Sequence, residues 1–164
     1  MGLKMNWVPS FQLEKKVKEI ISSYPEPQSA CLPILHEIQS QSGYIPRESI
    51  SWVAKTIKVP RSQIEGVISF YTMFKTEPVG KYHLELCTNI SCSLCGSESI
   101  LRTIEKELGI RAGETTKDGL FTLSEVECLA TCGMGPAMQV GDEIYEKLTP
   151  EKVIQIISDF RKRG

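Results

Sequence analysis

The stretch KYHLELCTNISCSLCG, residues 81–96, joins an alternating segment to a cysteine-rich loop. Apolar and polar residues alternate in its first half, which is typical of a strand with one buried face. The strand ends at Cys87, and the loop after it carries Cys92 and Cys95. The opening of the sequence does not look like a secretory signal, so we expect cysteines grouped in this way to be metal ligands or redox thiols before structural disulfides.

A second pair of cysteines follows a second predicted strand. The segment LFTLSEVEC, residues 120–128, ends at Cys128, and Cys132 follows in the sequence CLATCG. Neighbouring strands of one sheet can end at the same edge, so the two loops are expected to meet although 35 residues separate Cys92 from Cys128. Four thiolates can then converge on one site.

The spacing of the cysteines indicates which kind of metal group they can bind. Zinc sites usually use C-x2-C knuckles, whereas a 2Fe-2S cluster is wider and needs ligands spread over two irons. The spacings C-x4-C and C-x3-C favour the wider group. Neither histidine lies in the two loops, and the nearest is His83. An all-cysteine iron-sulfur site therefore fits best.

Two glycines after Cys132 are candidate cofactor-binding residues. Gly133 and Gly135 lack side chains, so their backbone can approach cluster sulfurs closely and donate N–H groups to them. An equally simple interpretation is that both are turn residues. The sequence does not decide whether Gly133 and Gly135 bind the cofactor or only form a turn.

Two other uses of the cysteines stay open. Cys92 and Cys95 form a C-x-x-C between a strand and a helix, as in thioredoxin-like thiol oxidoreductases, but this leaves three cysteines unexplained. Alternatively, Cys87, Cys92 and Cys95 match the C-x4-C-x2-C run of plant-type ferredoxins with a distant fourth ligand. Either Cys128 or Cys132 would then be spare.

The periodicity of the chain changes near TEPVG, residues 76–80. Before it, apolar residues recur at helical spacing and predict four helices. After it, the order is strand, helix, strand, a hairpin turning at Gly141-Asp142, and a last helix opened by Thr149-Pro150. The sequence therefore predicts two domains, 1–78 and 79–164. The predicted helices of the first domain cover about 11–23, 29–42, 44–59 and 61–74.

Composition limits the classes of function. A net charge of −1 over 164 residues gives no bulk attraction to nucleic acid or anionic lipid. No apolar stretch approaches the roughly 18 residues of a membrane span. The opening MGLKMNWVPS does not look like a secretory signal, and Asn6 stands where a myristoylation motif needs Ser or Thr. We expect a cytoplasmic protein with no direct membrane insertion and no nucleic-acid partner.

Four stretches, in this order, resemble signatures of one family. They are LHEIQSQSGYIP (35–46), IEGVISFYTMF (64–74), GKYHLELC followed by SC (80–92), and VECLATCGMGPAMQV (126–140). The chain resembles the small iron-sulfur subunit of the NADH-oxidising module of respiratory complex I. Similar subunits occur in NAD-linked hydrogenases and formate dehydrogenases.

The resemblance implies an α+β chain, with an N-terminal helical bundle followed by a thioredoxin-like 2Fe-2S ferredoxin domain. The resemblance assigns the cluster ligands to Cys87, Cys92, Cys128 and Cys132. The family motif does not require cysteine at position 95, which leaves the role of Cys95 open.

The resemblance also implies a partner and a role. The partner is a flavoprotein that binds FMN and NADH, so this chain binds neither and has no catalytic residue of its own. It would exchange single electrons with the flavin as a subunit of NADH:quinone oxidoreductase, peripheral to the inner membrane.

Overall fold

A computed structural model describes residues 7–164, so most of the opening segment assessed for targeting signals lies outside the described residues. The chain divides into two compact units, one up to Pro78 and the other from Val79 to Gly164. Each unit has its own apolar core.

Four helices build the N-terminal unit, and local sequence sets their ends. The side chain of Ser10 caps the first helix by accepting a hydrogen bond from the Leu13 amide at 3.1 Å. Gly43 ends the second helix in a left-handed conformation with φ of 79°. A short 3-10 helix at Pro27–Ala30, not predicted from the sequence, precedes the second helix. The helices are α1 (Phe11–Ser22), α2 (Cys31–Ser42), α3 (Arg47–Ile57) and α4 (Arg61–Phe70).

The core of this unit is formed by one apolar stripe from each helix. Burying an aliphatic side chain of this size contributes about 1.5–3 kcal/mol. Cys31 belongs to this core, and burial raises the pKa of its thiol. The fully buried side chains include Ile34, Leu35, Ile38, Val53 and Ile64.

The prediction that the fourth helix continues to Phe74 is wrong. The helix ends at Phe70, and Tyr71 is extended. The side-chain amide of Gln39 donates to the Met73 carbonyl at 2.9 Å and accepts from the Lys75 amide at 2.7 Å. These bonds hold the backbone in a non-helical path that still buries Phe74.

The C-terminal unit is a four-stranded mixed sheet. The strands are β1 (Tyr82–Cys87), β2 (Phe121–Val126), β3 (Met138–Val140) and β4 (Glu143–Tyr145), in the spatial order β2-β1-β3-β4. β1 is parallel to β2 and antiparallel to β3, and β3 pairs with β4 in an antiparallel hairpin. The predicted hairpin turn is confirmed, with Gly141 at φ of 60°.

Three helices complete this unit: α5 (Ile90–Leu94), α6 (Ser97–Leu108) and α7 (Pro150–Arg163). α5 lies in the cysteine loop and was not predicted. Thr149 caps α7 by accepting from the Lys152 amide at 3.2 Å. The apolar stripes of α6 and α7 share one core with the sheet, which includes Leu84, Leu86, Ile100, Ile104, Leu123, Met138, Val153 and Ile157.

Gly80 leads into β1 where two segments of backbone come close. A Cβ at this position would lie 2.8 Å from the carbonyl carbon of Phe121 and 3.0 Å from the Gly119 oxygen. The Gly80 amide donates to the Thr122 hydroxyl at 2.6 Å. Only glycine allows this approach.

Within residues 7–164, no helix combines the length and the apolar character needed to cross a bilayer.

Candidate metal centre

The two cysteine loops leave the sheet at the same edge. In the parallel ladder of β1 and β2, Cys87 lies opposite Val126, and the Thr88 amide continues the ladder by donating to the Val126 carbonyl at 3.1 Å. Cys128 follows two residues later. The expectation that neighbouring strands bring both loops to one edge is confirmed.

The first loop positions its cysteines through the short helix α5. The Asn89 side chain caps this helix by accepting from the Ile90 amide at 2.7 Å. Because residues two apart on a helix point in nearly opposite directions, Cys92 faces inward while Ile90 and Leu94 face solvent. Cys92 is buried, and Cys95, at the C-terminal end of α5, is exposed.

The second loop turns sharply between its two cysteines. Ala130 has φ of 59°, a left-handed conformation that is uncommon for alanine. This turn aims the Ala130 amide at Cys128, to whose Sγ it donates a hydrogen bond at 3.3 Å. Cys132 then opens a 3-10 helix, Cys132–Met134. Both cysteines of this loop are exposed.

The loops contact each other through α5 and the 3-10 helix. Cys87 and Cys92 pack with Ala137 in one buried cluster, and Cys132 lies close enough to Cys92 to raise the pKa of its thiol. Burial raises the pKa of Cys92, and the neighbouring sulfurs of Cys87 and Cys132 raise it further. The Cys92 thiol therefore resists ionisation unless a cation compensates the negative charge.

The two candidate glycines have different surroundings. A Cβ on Gly135 would lie 3.2 Å from the Sγ and 3.4 Å from the Cα of Cys92. A Cβ on Gly133 would meet no atom within 4 Å. After Gly135 the chain continues to Ala137, whose carbonyl accepts from the Cys87 amide at 3.0 Å. Gly135 thus lies against a candidate ligand, whereas Gly133 has no steric need for glycine.

All six cysteines are free thiols. Among residues 7–164, no three His, Cys, Asp or Glu side chains converge closely enough to hold a single metal ion. A 2Fe-2S cluster needs a different arrangement, with cysteines spread over two irons. A buried pair, Cys87 and Cys92, lies beside an exposed loop with Cys128 and Cys132. These four cysteines supply the all-thiolate donor set that such a cluster needs.

Sequence reasoning missed three features of the site. They are the Asn89 cap, the left-handed Ala130 that donates to Cys128, and the carbonyl of Glu127, which lies 3.7 Å from the Cys87 Sγ. Asparagine before a short loop helix is a recognisable capping signal. The alanine carries no such signal, because its conformation is uncommon for its residue type.

The chain has recognisable relatives. The sequence model of the thioredoxin-like [2Fe-2S] ferredoxin family matches residues 17–161. The chain therefore belongs to this family. The family match confirms the expected α+β fold class with its thioredoxin-like ferredoxin domain, and the expected 2Fe-2S cofactor class.

Individual relatives show which kind of subunit this chain resembles. The chain is 43% identical over 149 residues to a subunit of NADH-quinone oxidoreductase from Rhizobium meliloti (strain 1021), covering 91% of this chain and 89% of the relative. It is 38% identical over 149 residues to an NADH-quinone oxidoreductase subunit from Aquifex aeolicus (strain VF5), covering 91% and 93%. The resemblance drawn from four sequence stretches is thereby confirmed.

A solved structure shares the fold. A chain of an NAD+-reducing [NiFe]-hydrogenase in the air-oxidised state superimposes with a TM-score of 0.69 at 17% identity. The match covers 81% of this chain but 23% of the hydrogenase chain.

Proposed function

We propose that this chain is the electron-transfer subunit of an NADH dehydrogenase module and holds one 2Fe-2S cluster on Cys87, Cys92, Cys128 and Cys132. The observation that carries the proposal is the parallel pairing of β1 with β2, which brings two distant cysteine pairs to one sheet edge. The relatives named as subunits of NADH-quinone oxidoreductase support the role.

The ligand assignment is supported by burial and by contact between the loops. Cys87 and Cys92 are buried beside each other, and the loop that carries Cys132 contacts theirs. Cys95 is exposed at the end of α5 and does not share the burial of this pair. Cys128 and Cys132 are exposed as well, so the plant-type ligand set, in which Cys95 replaces one of them, stays the alternative that substitutions must test.

A 2Fe-2S cluster held by Cys87, Cys92, Cys128 and Cys132 would supply one-electron redox chemistry. The four cysteines would bind such a cluster as thiolates. The Ala130 N–H already points at the Cys128 sulfur and stabilises negative charge there. Gly135 lies against Cys92, and we also propose a role in cofactor binding for Gly135 and, through its backbone N–H, for Gly133.

We infer that the electron donor is the reduced flavin of a partner flavoprotein that binds both FMN and NADH. The NADH site then lies on the partner, and this chain contributes the next carrier. As a subunit of a respiratory complex, the chain would be cytoplasmic and peripheral to the inner membrane. The division of the chain at Pro78 and Val79 supports a helical domain and a ferredoxin domain as separate folding units.

The thiol oxidoreductase alternative is less well supported. A redox-active C-x-x-C needs an accessible cysteine with a lowered pKa as its attacking thiolate. Cys92 is 3% exposed, and burial raises the pKa of its thiol. Cys92, the first cysteine of the motif, is therefore buried and has a raised pKa, whereas an attacking thiolate needs access and a lowered pKa.

The test is analysis of the full chain purified without oxygen. We expect about two irons and two acid-labile sulfides per chain, and a paramagnetic signal from one unpaired electron after reduction. NADH should reduce the cluster only when the FMN-binding subunit of the same complex is added. Stoichiometric zinc without sulfide would contradict the cluster. Reduction by NADH without the flavoprotein would contradict the division of roles.

A further inference from the structure

The second ligand loop, residues 128–136, is held by the segment that leads into α7. The Lys147 amide donates to the Met134 carbonyl at 2.7 Å, and the Leu148 amide donates to the Pro136 carbonyl at 3.0 Å. In the described part of the chain, no other backbone–backbone hydrogen bond reaches this loop from outside it. These two bonds therefore connect the exposed ligand loop to the folded body of the C-terminal unit.

Lys147 has a left-handed backbone conformation, with φ of 47°. A non-glycine residue adopts this conformation at a cost in free energy and keeps it where the surrounding structure imposes it. Both neighbours of Lys147 are fixed. The Lys152 ammonium donates to the Glu146 carbonyl at 2.6 Å, and Leu148 is buried in the core. In this conformation the successive amides of Lys147 and Leu148 both point at the second ligand loop.

The candidate ligands of this loop lack the burial of the other pair. Cys128 and Cys132 are exposed, whereas Cys87 and Cys92 are buried. No core packs around an exposed side chain, so the backbone must position its sulfur. The 3-10 helix that begins at Cys132 is held at its other end by the bond from the Lys147 amide. The position of Cys132 therefore depends on a residue that lies beyond β3 and β4 in the chain.

The same two bonds also affect the contact between the loops. Their acceptors, Met134 and Pro136, flank Gly135 on either side. A Cβ on Gly135 would lie 3.2 Å from the Cys92 sulfur. The bonds thus hold the second ligand loop close to the buried ligand of the first.

We propose that Lys147 is a positioning residue of the cluster site. Its left-handed backbone holds the second ligand loop in place, so that Cys132 and Gly135 keep the positions that cluster binding needs. Lys147 acts through the backbone N–H groups and not through its ammonium group. This inference rests on the proposed function, because it takes the ligand role of Cys132 from there.

The test separates the backbone of Lys147 from its charge. Lys147→Val introduces a β-branched residue, which strongly disfavours the left-handed conformation, whereas Lys147→Asn and Lys147→Gly accept that conformation. All three variants remove the ammonium group and keep the backbone N–H. Iron release to a chelator and the electron paramagnetic resonance spectrum after reduction are measured on the full, cluster-loaded chain.

Lys58 provides a matched control. Its backbone is also left-handed, with φ of 59°, but it caps the C-terminal end of α3 in the N-terminal unit. Lys58→Val removes the same charge and strains the same kind of backbone conformation away from the cysteines. Both valine variants should unfold at a lower denaturant concentration than the unmodified chain does.

We expect Lys147→Val to release iron about tenfold faster than the unmodified chain, the factor that corresponds to one disfavoured left-handed residue. Its paramagnetic signal should broaden or split, because the ligand sulfurs no longer keep one arrangement. Lys147→Asn, Lys147→Gly and Lys58→Val should release iron at the rate of the unmodified chain and keep its signal.

Hydrogen exchange tests the proposal without any substitution, and it decides the matter if Lys147→Val does not fold. In the unmodified, cluster-loaded chain, the Lys147 and Leu148 amides should exchange much more slowly than freely exposed amides do. Mass spectrometry of the peptides that contain them gives the rates. Exchange at the rate of free amides would overturn the proposal, because the two bonds would then be open.

Three results with the variants would also overturn the positioning role of Lys147. The first is iron release from Lys147→Val at the unmodified rate. The second is release from Lys147→Asn and Lys147→Gly as fast as from Lys147→Val, which would make the charge decisive. The third is equally fast release from Lys58→Val, which would indicate general destabilisation.

In each of these cases the unmodified chain still holds its cluster, so the proposed function survives. An unmodified chain that lacks iron and sulfide would instead remove the proposed function itself.

Discussion

Gly135 approaches Cys92 so closely that a methyl group at position 135 would lie 3.2 Å from the Cys92 sulfur. This contact crosses between the two cysteine loops, which are far apart in sequence. It also provides a steric test of the site that leaves every candidate ligand in place.

Gly135→Ala should weaken cluster retention. The added methyl group forces Cys92 or the loop to move, and overpacking of this kind costs about 1–3 kcal/mol. Gly133→Ala is the matched control, because its Cβ would meet nothing within 4 Å. Iron release to a chelator should be faster for Gly135→Ala alone. Equal rates for both variants would show that the contact does not constrain the site.

Serine substitutions should separate ligands from bystanders. Cys92→Ser removes a buried ligand beside Cys87 and should lose most of the iron. Cys95→Ser should retain the iron, because the proposed ligand set does not include Cys95. Iron and sulfide analysis and visible absorbance give the readout. Cluster loss in Cys95→Ser, with retention in Cys128→Ser or Cys132→Ser, would favour the plant-type ligand set.

Gly80→Ala should destabilise the C-terminal unit by about 1–3 kcal/mol, because its Cβ would lie 2.8 Å from the backbone of Phe121. Denaturant unfolding measures the effect. Gly66→Ala is the contrasting variant: Gly66 lies within α4, and its Cβ would meet nothing within 4 Å. It should stabilise the chain by about 0.5–1 kcal/mol through helix propensity. Stabilisation by Gly80→Ala would contradict the close approach.

Tyr145 should titrate at a higher pH than an ordinary tyrosine does. Burial raises the pKa of Tyr145 to about 12, helped by its hydrogen bond to the Glu143 carboxylate. The pKa of an unfolded tyrosine is about 10. The resulting stabilisation is therefore complete below pH about 10 and is lost as the pH rises through about 12.

Glu143→Gln should lower the pKa of Tyr145 by removing the negative charge, while burial keeps it above the ordinary value. Carbon-13 NMR of labelled tyrosine, with Tyr145→Phe to assign the signal, gives the measurement. An unchanged pKa in Glu143→Gln would show that the carboxylate contributes nothing.

Much of the secondary structure could be predicted because its signals are local. Ser10 and Thr149 carry capping side chains, Gly43 adopts the left-handed conformation at a helix end, and Gly141 supplies a positive φ in the hairpin turn. The strand Tyr82–Cys87 follows from alternation alone. These features depend on residues within one or two turns of each other.

The end of α4 could not be predicted in the same way. Helical spacing continues to Phe74, but the Gln39 side chain binds the backbone of Met73 and Lys75 and ends the helix earlier. A partner more than thirty residues away leaves no local signal. The left-handed conformation of Ala130 could not be predicted for a similar reason. The surrounding loop imposes a conformation that alanine disfavours.

The sequence by itself determined the kind of site: four cysteines after two strands, a family resemblance, and hence a 2Fe-2S cofactor class. Only the fold could determine which cysteines are neighbours. The Cys87 to Val126 register, the burial of Cys92 and the exposure of Cys95 arise from strand pairing and core packing between distant segments. Hydrogen bonding and burial of that kind act across space, and no spacing along the chain encodes them.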